Sequence, residues 1–311
     1  MSDGRDPIDG SDPAASGAVA GSATARAPGV CGVLAQGVLG EMPFSVTCPV
    51  DFFSRVRVEV SEGGPGVTAT EGCEKTVAAV RRTLAHLRKA KVRADVRVTS
   101  PIPRGKGLGS SSADLSAAIV ATALALGEEL SPYDIAQVAL SIEPTGGVML
   151  PGLALFDHRA GMVRQSIGPP PPMEIVALDF GGDSRSDLDG NPRQWREVKE
   201  QTEEALSLIR RGVADKNPAL VGRGATVAAE AASRVQRRPR LDEVAEFARE
   251  VGAVGVNGGQ NEGVTGVLLD ATERRGKSTY IKARQAFPEA ERVYHFRMMS
   301  GGVQTVSAGR G

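Results

Sequence analysis

The segment with the clearest chemical signature is PIPRGKGLGSSSAD, residues 101–114. Its three glycines alternate with a lysine and a leucine, and three serines then lead into an alanine-rich run. Glycine tolerates left-handed backbone angles and lets a ligand approach the main chain. The N–H groups at a helix start carry partial positive charge, and serines there can supply N-cap oxygens. The pattern therefore predicts a phosphate-binding loop at the start of a helix.

The spacing of this segment excludes two well-known phosphate-binding patterns. In a Walker-type loop the lysine is followed by serine or threonine, whereas Lys106 lies between Gly105 and Gly107. A dinucleotide fingerprint has another glycine spacing and an acidic residue on a following strand, which this segment lacks. The alternative without a ligand is a turn capped by its serines. The strand predicted before the loop and the long helix predicted after it favour phosphate binding.

Hydrophobic periodicity predicts the elements that hold this loop. Alternation in RADVRVT, residues 93–99, predicts a strand directly before it, and the alanine-rich residues 110–126 predict a helix directly after it. Pro49, inside the strand region at 44–60, indicates a bulge or an edge. Further strands are predicted at 31–40, 153–158, 161–167, 174–180, 264–269, 292–298 and 303–307, and further helices at 74–92, 131–141, 192–211, 218–236, 241–251 and 271–287.

The order of these elements predicts an α+β chain with two lobes. Strands and helices occur in groups and do not alternate strictly, which argues against a doubly wound parallel sheet. The proline run at 169–172 is the best candidate for a boundary. We therefore expect a disordered tail at residues 1–29, an N-terminal lobe at 30–168 that carries the glycine loop, and a C-terminal lobe at 173–311.

Composition narrows the class of partner. The 311 residues include 37 Lys and Arg against 37 Asp and Glu, so the electrostatic argument for a nucleic-acid or anionic-membrane partner is absent. Three cysteines without metal-ligand spacing are too few for a disulfide framework, and a reducing cytoplasm is expected. No apolar run reaches the roughly 18 residues that a membrane span needs. We expect neither a nucleic acid nor a membrane as partner.

The glycine–serine segment resembles the phosphate-binding motif of the GHMP kinases, the galacto-, homoserine, mevalonate and phosphomevalonate kinases. That motif reads Pro-x-x-x-Gly-Leu-Gly-Ser-Ser-Ala. Four further stretches resemble one branch of that family, the bacterial L-threonine kinases of cobalamin side-chain synthesis. These stretches are CGVLAQG, VTCPVDFFS, EPTGGVMLPGLALFDHRAG and ALDFGG. Several matches in the right order are more specific than one loop.

This resemblance implies a fold and a reaction. The fold would be the two-lobed GHMP-kinase fold, with a ribosomal-protein-S5-like N-terminal lobe and a ferredoxin-like C-terminal lobe. The reaction would be Mg²⁺-dependent transfer of the γ-phosphoryl group of ATP to a hydroxyl of a small molecule, L-threonine or a related amino acid or amino alcohol. The protein would be a monomer or a homodimer. ATP would contact Pro103, Gly105, Lys106, Gly107, Leu108, Gly109, Ser110, Ser111 and Ser112, and magnesium would contact Ser110 and Ser111.

On the acceptor side the sequence departs from the threonine-kinase pattern at three places. Val33 stands where the branch usually has glutamate, and Gly146 stands where it has the aspartate of Glu-Pro-Thr-Asp. Residues 259–263, Gly-Gln-Asn-Glu-Gly, replace Ala-His-Ser-Gly-Thr, so Glu262 is new relative to the pattern. Two interpretations follow: an active kinase with an altered acceptor, or a relative that binds nucleotide without transferring phosphate.

Five polar residues are candidates for catalysis or binding, and all but Glu143 have a structural alternative. Lys106 could supply a cation to phosphate or be a solvated loop lysine. Asp51 could face an amine-bearing substrate or cap a bulge beside Pro49. Glu143 and Asp157 could each supply a carboxylate to the metal, although Asp157 also fits a strand-end turn. Asp114, one turn into the predicted helix, would favour the helix dipole with or without a substrate contact.

Overall fold

Two long antiparallel strands, β1 (Val19–Leu39) and β2 (Met42–Ser61), run through the middle of the sheet. They belong to a computed structural model that describes residues 19–162, 164–182, 192–236, 238, 240–258 and 263–306. The remaining strands are β3 (Gly66–Ala69), β4 (Arg93–Thr99), β5 (Leu153–Phe156), β6 (Arg164–Gly168), β7 (Met173–Asp179), β8 (Gly255–Gly258), β9 (Val264–Asp270), β10 (Arg292–Arg297) and β11 (Gln304–Thr305). The helices are α1 (Glu74–His86), α2 (Ser110–Ala125), α3 (Pro132–Leu140), α4 (Pro192–Glu197), α5 (Lys199–Ala214), α6 (Pro218–Ser233), α7 (Leu241–Glu250) and α8 (Gly276–Ala286).

The strands form one 11-stranded sheet. Its main path is β10-β7-β9-β8-β1-β2-β4-β3, with β11 beside β1, β5 beside β2 and β6 beside β5. Within the described residues, β3 and β4 make the one parallel pair. Strand β1 of the predicted N-terminal lobe pairs with two strands of the predicted C-terminal lobe, with β8 at Val33↔Gly258 and with β11 at Ala25↔Thr305 and Arg26↔Gln304. Grouped strands and helices confirm the α+β class, whereas the lobe limits at 168 and 173 stay a prediction.

Around the glycine loop the predicted elements are confirmed. Strand β4 has the predicted bounds, and α2 begins at the predicted residue. The bulge expected near Pro49 is also present. Between the pairs Val30↔Pro49 and Val33↔Thr47, β1 advances three residues while β2 advances two.

The disordered tail predicted at residues 1–29 is wrong from residue 19 onward, because residues 19–29 are the first half of β1. Glycine and alanine suggested disorder there, but their small size has a packing reason. A Cβ on Gly21 would lie 2.0 Å from the Ala125 carbonyl oxygen of α2, and Ala25 and Ala27 are fully buried. The helix packs so closely on this strand that larger side chains would not fit. Residues 1–18 lie outside the described residues.

Smaller differences also have local causes. The helix predicted at 74–92 ends at His86, and Arg88 then adopts a left-handed φ of 58°. The helix predicted at 192–211 is two helices, α4 and α5, and the one predicted at 271–287 begins at Gly276 after a 3-10 turn. Strands β3 and β8 were not predicted, since four residues are too few for a clear alternation.

One cluster of buried apolar side chains continues from α2 through the sheet. Leu115 and Ile119 of α2 belong to the same cluster as Ile175 of β7 and Leu268 of β9. Apolar packing is therefore continuous from the helix that follows the glycine loop to strands in the second half of the chain. In the part of the chain that the structure describes, no helix is long and apolar enough to cross a bilayer.

The assignment of residues 19–29 to the sheet can be tested with Ala27→Asn. A polar amide in this fully buried position of β1 is expected to lower the free energy of unfolding by about 3 kcal/mol, measured by urea denaturation. Ser22→Asn, at an exposed position of the same strand, is the control and should change it by about 0.5 kcal/mol or less. If both variants unfold like the parent chain, these residues are not part of the core.

Candidate active site at the glycine loop

The glycine loop has the left-handed backbone that its sequence predicts. Gly105, Gly107 and Gly109 have φ angles of 72°, 70° and 73°. Side chains other than glycine are strained in this region by about 1–2 kcal/mol each. Because every second residue from 105 to 109 has a left-handed φ, glycine is needed at all three positions. These left-handed residues lie in the turn that leads from β4 to α2.

The first turn of α2 has no side-chain cap. Gly109 is the N-cap residue, and its carbonyl accepts the Ala113 N–H at 3.0 Å. The expectation that serines supply the N-cap is therefore wrong, because the left-handed glycine ends the loop one residue earlier and Ser110 to Ser112 are already helical. The backbone N–H groups of these first residues carry the positive end of the helix dipole. Such a terminus is suited to phosphate.

The hydroxyls of the serines point to a neighbouring loop at residues 143–146. Ser111 Oγ donates to Glu143 Oε1, while Ser112 Oγ accepts from Thr145 Oγ1 at 2.8 Å and from the Gly146 N–H at 3.3 Å. Glu143 thus lies against Ser111, the residue predicted to contact magnesium.

A cavity of about 230 Å³ opens at this place, and two helices point into it. It is lined by Gly72, Cys73, Glu74, Lys75 and Thr76 around the start of α1, by Ser110, Ser111, Asp114 and Leu115 of α2, and by Arg104 and Gly105 of the loop. The N-cap of α1, Cys73, also makes no side-chain cap. Two uncapped helix N-termini together with Lys75 and Arg104 make the cavity attractive to an anion.

The residues around this cavity fit a magnesium–nucleotide complex. Mg²⁺ prefers oxygen ligands and is usually held by one or two carboxylates together with substrate phosphates. The hydroxyl of Ser111 and the carboxylate of Glu143 supply such oxygens, and Ser110 lines the same cavity. Within the described ranges there is no cluster of three His, Cys, Asp or Glu that could hold a metal alone. A site shared with phosphate oxygens suits this arrangement.

Asp114 lies inside the cavity wall and is buried. Its Oδ1 accepts a hydrogen bond from Ser54 Oγ at 2.5 Å. Burial raises the pKa of the Asp114 carboxyl, while the Ser54 hydrogen bond and the charge of Arg104 act in the opposite direction. The carboxyl therefore links β2 to α2 within the wall of the cavity.

Lys106 does not point into the cavity lining but pairs with Glu291, between α8 and β10. Lys106 Nζ lies 2.8 Å from Glu291 Oε2, and this hydrogen bond is the main reason why the pKa of Lys106 is raised. Burial lowers it and the charge of Asp179 raises it further. Lys106 is thus not a freely solvated loop lysine, and it does not line the cavity at the starts of α1 and α2.

The remaining acceptor-side candidates occupy structural positions. Asp51 Oδ1 accepts the Arg297 N–H at 2.8 Å and so joins β2 to β10. Asp157 accepts the N–H groups of Arg159, Ala160 and Met162 at 3.0 to 3.1 Å, which is the strand-end turn that the sequence left open. The cavity lining includes neither carboxylate.

Of the three departures from the threonine-kinase pattern, two are at buried positions and the third is only partly within the described residues. Val33 is buried within β1, and Gly146 is buried where its N–H meets Ser112. Glu262 lies outside the described residues. Gly263 is described, and its carbonyl accepts the Phe180 N–H at 2.8 Å, which places the end of that motif beside the end of β7.

Sequence reasoning missed three residues of the cavity region: Lys75, Arg104 and Ser54. Arg104 lies within the motif and donates to the Gly72 carbonyl and to Cys73 Sγ, the latter at 3.3 Å. Lys75 donates to Glu143 Oε2, 68 residues away in sequence. The only local signal was the charge of Arg104 inside the loop, because the other two contacts depend on the tertiary fold.

The chain is similar to known kinases in sequence and in fold. Residues 74–153 match the GHMP kinases N terminal domain. The chain is 31% identical over 296 residues to the L-threonine kinase of Salmonella typhimurium, which covers 91% of this chain and 95% of that one. It is 30% identical over 294 residues to the L-threonine kinase of Citrobacter freundii, covering 91% and 99%. Homoserine kinase from Cytophaga hutchinsonii has the same fold, with a TM-score of 0.69, 16% identity and coverage of 92% and 97%.

The chain therefore belongs to the GHMP kinase family, and it is similar to L-threonine kinases over nearly its whole length. The likeness to homoserine kinase confirms the predicted two-lobed GHMP-type fold. A small-molecule kinase is the class of enzyme that this family membership supports.

The tight fit of the loop against β1 gives a prediction for Gly109→Ala. A Cβ at this position would lie 2.9 Å from Val30 Cγ2, whereas Gly127, with a similar φ of 72°, has nothing within 4 Å of such an atom. Gly127→Ala should therefore cost only the left-handed strain of about 1–2 kcal/mol. Gly109→Ala should cost at least about 1 kcal/mol more, as measured by urea denaturation. Equal losses for the two variants would show that β1 does not confine the loop.

Proposed function

We propose that the protein transfers the γ-phosphoryl group of ATP to the hydroxyl of L-threonine or of a related amino acid or amino alcohol. The observation that carries this proposal is the uncapped start of α2, which opens on the same cavity as the start of α1 and brings Ser111 into contact with Glu143. Two relatives of about 30% identity that are L-threonine kinases support the acceptor. The resemblance seen in the sequence extends the proposal to cobalamin side-chain synthesis.

The loop and the helix start would bind the phosphates of ATP. The left-handed glycines present backbone N–H groups to the ligand, and the first turn of α2 adds the positive end of its dipole. Ser111 Oγ and Glu143 Oε1 would hold Mg²⁺, with Ser110 nearby. The bound metal ion supplies neutralisation of the charge on the β- and γ-phosphates.

This reaction depends more on how the protein positions ATP and the acceptor than on covalent catalysis by its side chains. The acceptor oxygen forms a bond to the γ-phosphorus as the bond to the β–γ bridging oxygen breaks, the hydroxyl proton leaves and ADP is released. The transition state is loose, so stabilisation of spread charge matters most and a general base contributes only about 10²- to 10⁴-fold. The absence of a carboxylate at Val33 and Gly146 is therefore compatible with turnover.

A panel of acceptors is the direct test. Purified protein with Mg-ATP should release ADP with threonine, or with serine, homoserine or aminopropanol, well above the rate without acceptor, as measured by a coupled ADP assay. Product analysis by mass spectrometry should show a phosphate ester on the hydroxyl.

A second interpretation follows if ATP binds but no acceptor is phosphorylated. The chain would then be a relative that keeps the nucleotide site as a binding or regulatory protein. Val33 and Gly146, which replace two carboxylates of the threonine-kinase pattern, are the observation that favours this alternative.

The metal role of Glu143 predicts the effect of Glu143→Gln. Loss of the charged oxygen that contacts Ser111 should lower kcat about 10²-fold and raise the Mg²⁺ concentration needed for half-maximal rate. Glu128→Gln, at an exposed position after α2, is the control and should leave both values unchanged. Normal Mg²⁺ dependence in Glu143→Gln would exclude Glu143 as a ligand.

A further inference from the structure

Lys75, the second residue of α1, lies at a place where a cation is unfavourable without an anion. The start of α1 carries the positive end of its dipole, so a lysine there is repelled by the helix. Two more positive groups face the same cavity, Arg104 and the uncapped start of α2, and the carboxylates of Glu74 and Asp114 also line it. A phosphate group placed at the two helix starts would be favoured by both dipoles and by the charges of Lys75 and Arg104.

In the structure, Lys75 is held by the carboxylate that the proposed function gives to the metal. Lys75 Nζ donates to Glu143 Oε2, while Ser111 Oγ donates to Oε1 of the same carboxylate. The Lys75 side chain is 62% exposed and that of Glu143 is 19% exposed. Because the Lys75 end of this ion pair is exposed to water, the pair is weak and can be exchanged at little cost.

The other two cations near the loop already have partners of a different kind. Lys106 is paired with Glu291 at 2.8 Å, away from the cavity lining. Arg104 donates to the Gly72 carbonyl and to Cys73 Sγ, which fixes its guanidinium on the loop before α1. Of Lys75, Lys106 and Arg104, only Lys75 is paired with Glu143, the carboxylate that would bind the metal ion when the site is filled.

We propose that Lys75 is a phosphate-binding residue that exchanges partners when nucleotide enters. In the empty site its ammonium neutralises Glu143 and keeps the carboxylate against Ser111. In the filled site Lys75 releases Glu143 and donates to an oxygen of the β- or γ-phosphate, which its flexible four-carbon stem allows. This inference rests on the proposed function for the identity of the ligand, a nucleoside di- or triphosphate.

Binding of ADP in EDTA tests the exchange without any acceptor or metal. Lys75→Gln should weaken ADP binding about 10-fold, measured by isothermal titration calorimetry, because a charged hydrogen bond to phosphate is lost. Lys75→Arg should restore most of the affinity. Lys89→Gln, an exposed lysine just beyond the C-terminal end of α1, is the matched control and should bind like the parent chain.

The metal-free condition separates this role from a merely structural one. If Lys75 only held Glu143 in place, its loss would weaken binding in Mg²⁺ and leave ADP affinity in EDTA unchanged, and that result would overturn the proposal. Glu143→Gln should have the opposite effect in EDTA and bind ADP at least as tightly as the parent chain, because Lys75 is then free. Thermal unfolding shows whether each variant is folded, and Lys75→Met is a second neutral variant.

The outcomes of this experiment and of the acceptor panel are distinguishable. A parent chain that binds ADP but phosphorylates no acceptor would end the kinase proposal and leave the role of Lys75 measurable. Full activity of the parent chain together with unchanged ADP affinity of Lys75→Gln in EDTA would end only the role of Lys75.

Discussion

The close approach of the glycine loop to β1 is the constraint on which the site depends. The Val30 N–H donates to the Leu108 carbonyl at 3.0 Å, and a Cβ on Gly29 would lie 2.8 Å from that same oxygen. Leu108 buries its side chain at this contact. Because the loop is fixed on the central strand, the direction in which α2 leaves it is fixed as well, and with it the direction of the helix dipole.

The charged groups around the cavity include both signs and differ in burial. Two helix starts, Lys75 and Arg104 supply positive potential, and the carboxylates of Glu74 and Asp114 line the same cavity. Glu143 lies beside it, in contact with Lys75 and Ser111. Asp114 is buried, accepts a hydrogen bond from Ser54 and forms part of the cavity wall. Glu143 is partly exposed and accepts hydrogen bonds from Lys75 and Ser111. The carboxylates of Asp114 and Glu143 thus differ in burial and in their hydrogen-bond partners.

Much of the site was predictable because its signals are local. The alternation of β4, the glycine spacing and the small residues of α2 lie within one continuous segment, and the structure confirms these elements. Residues 19–29 were mistaken for a tail because a strand of glycine and alanine lacks the usual β-branched signal. Their small size follows from α2 lying close on β1, which no local pattern reports. The pairing of Lys106 with Glu291 joins residues 185 positions apart, and Lys75 and Glu143 are likewise joined only by the fold.

The position of β1 in the sheet also affects how the molecule is made. This strand precedes two of its partners by more than half of the sequence, since it pairs with β8 at Gly258 and with β11 at Gln304 and Thr305. A growing chain therefore carries an open strand edge on β1 until β8 and β11 have been synthesised. Open edges of this kind invite pairing with other chains, and contacts of such long range form slowly. The sheet that supports the glycine loop is thus completed only after β8 and β11 have been synthesised, well after the loop itself.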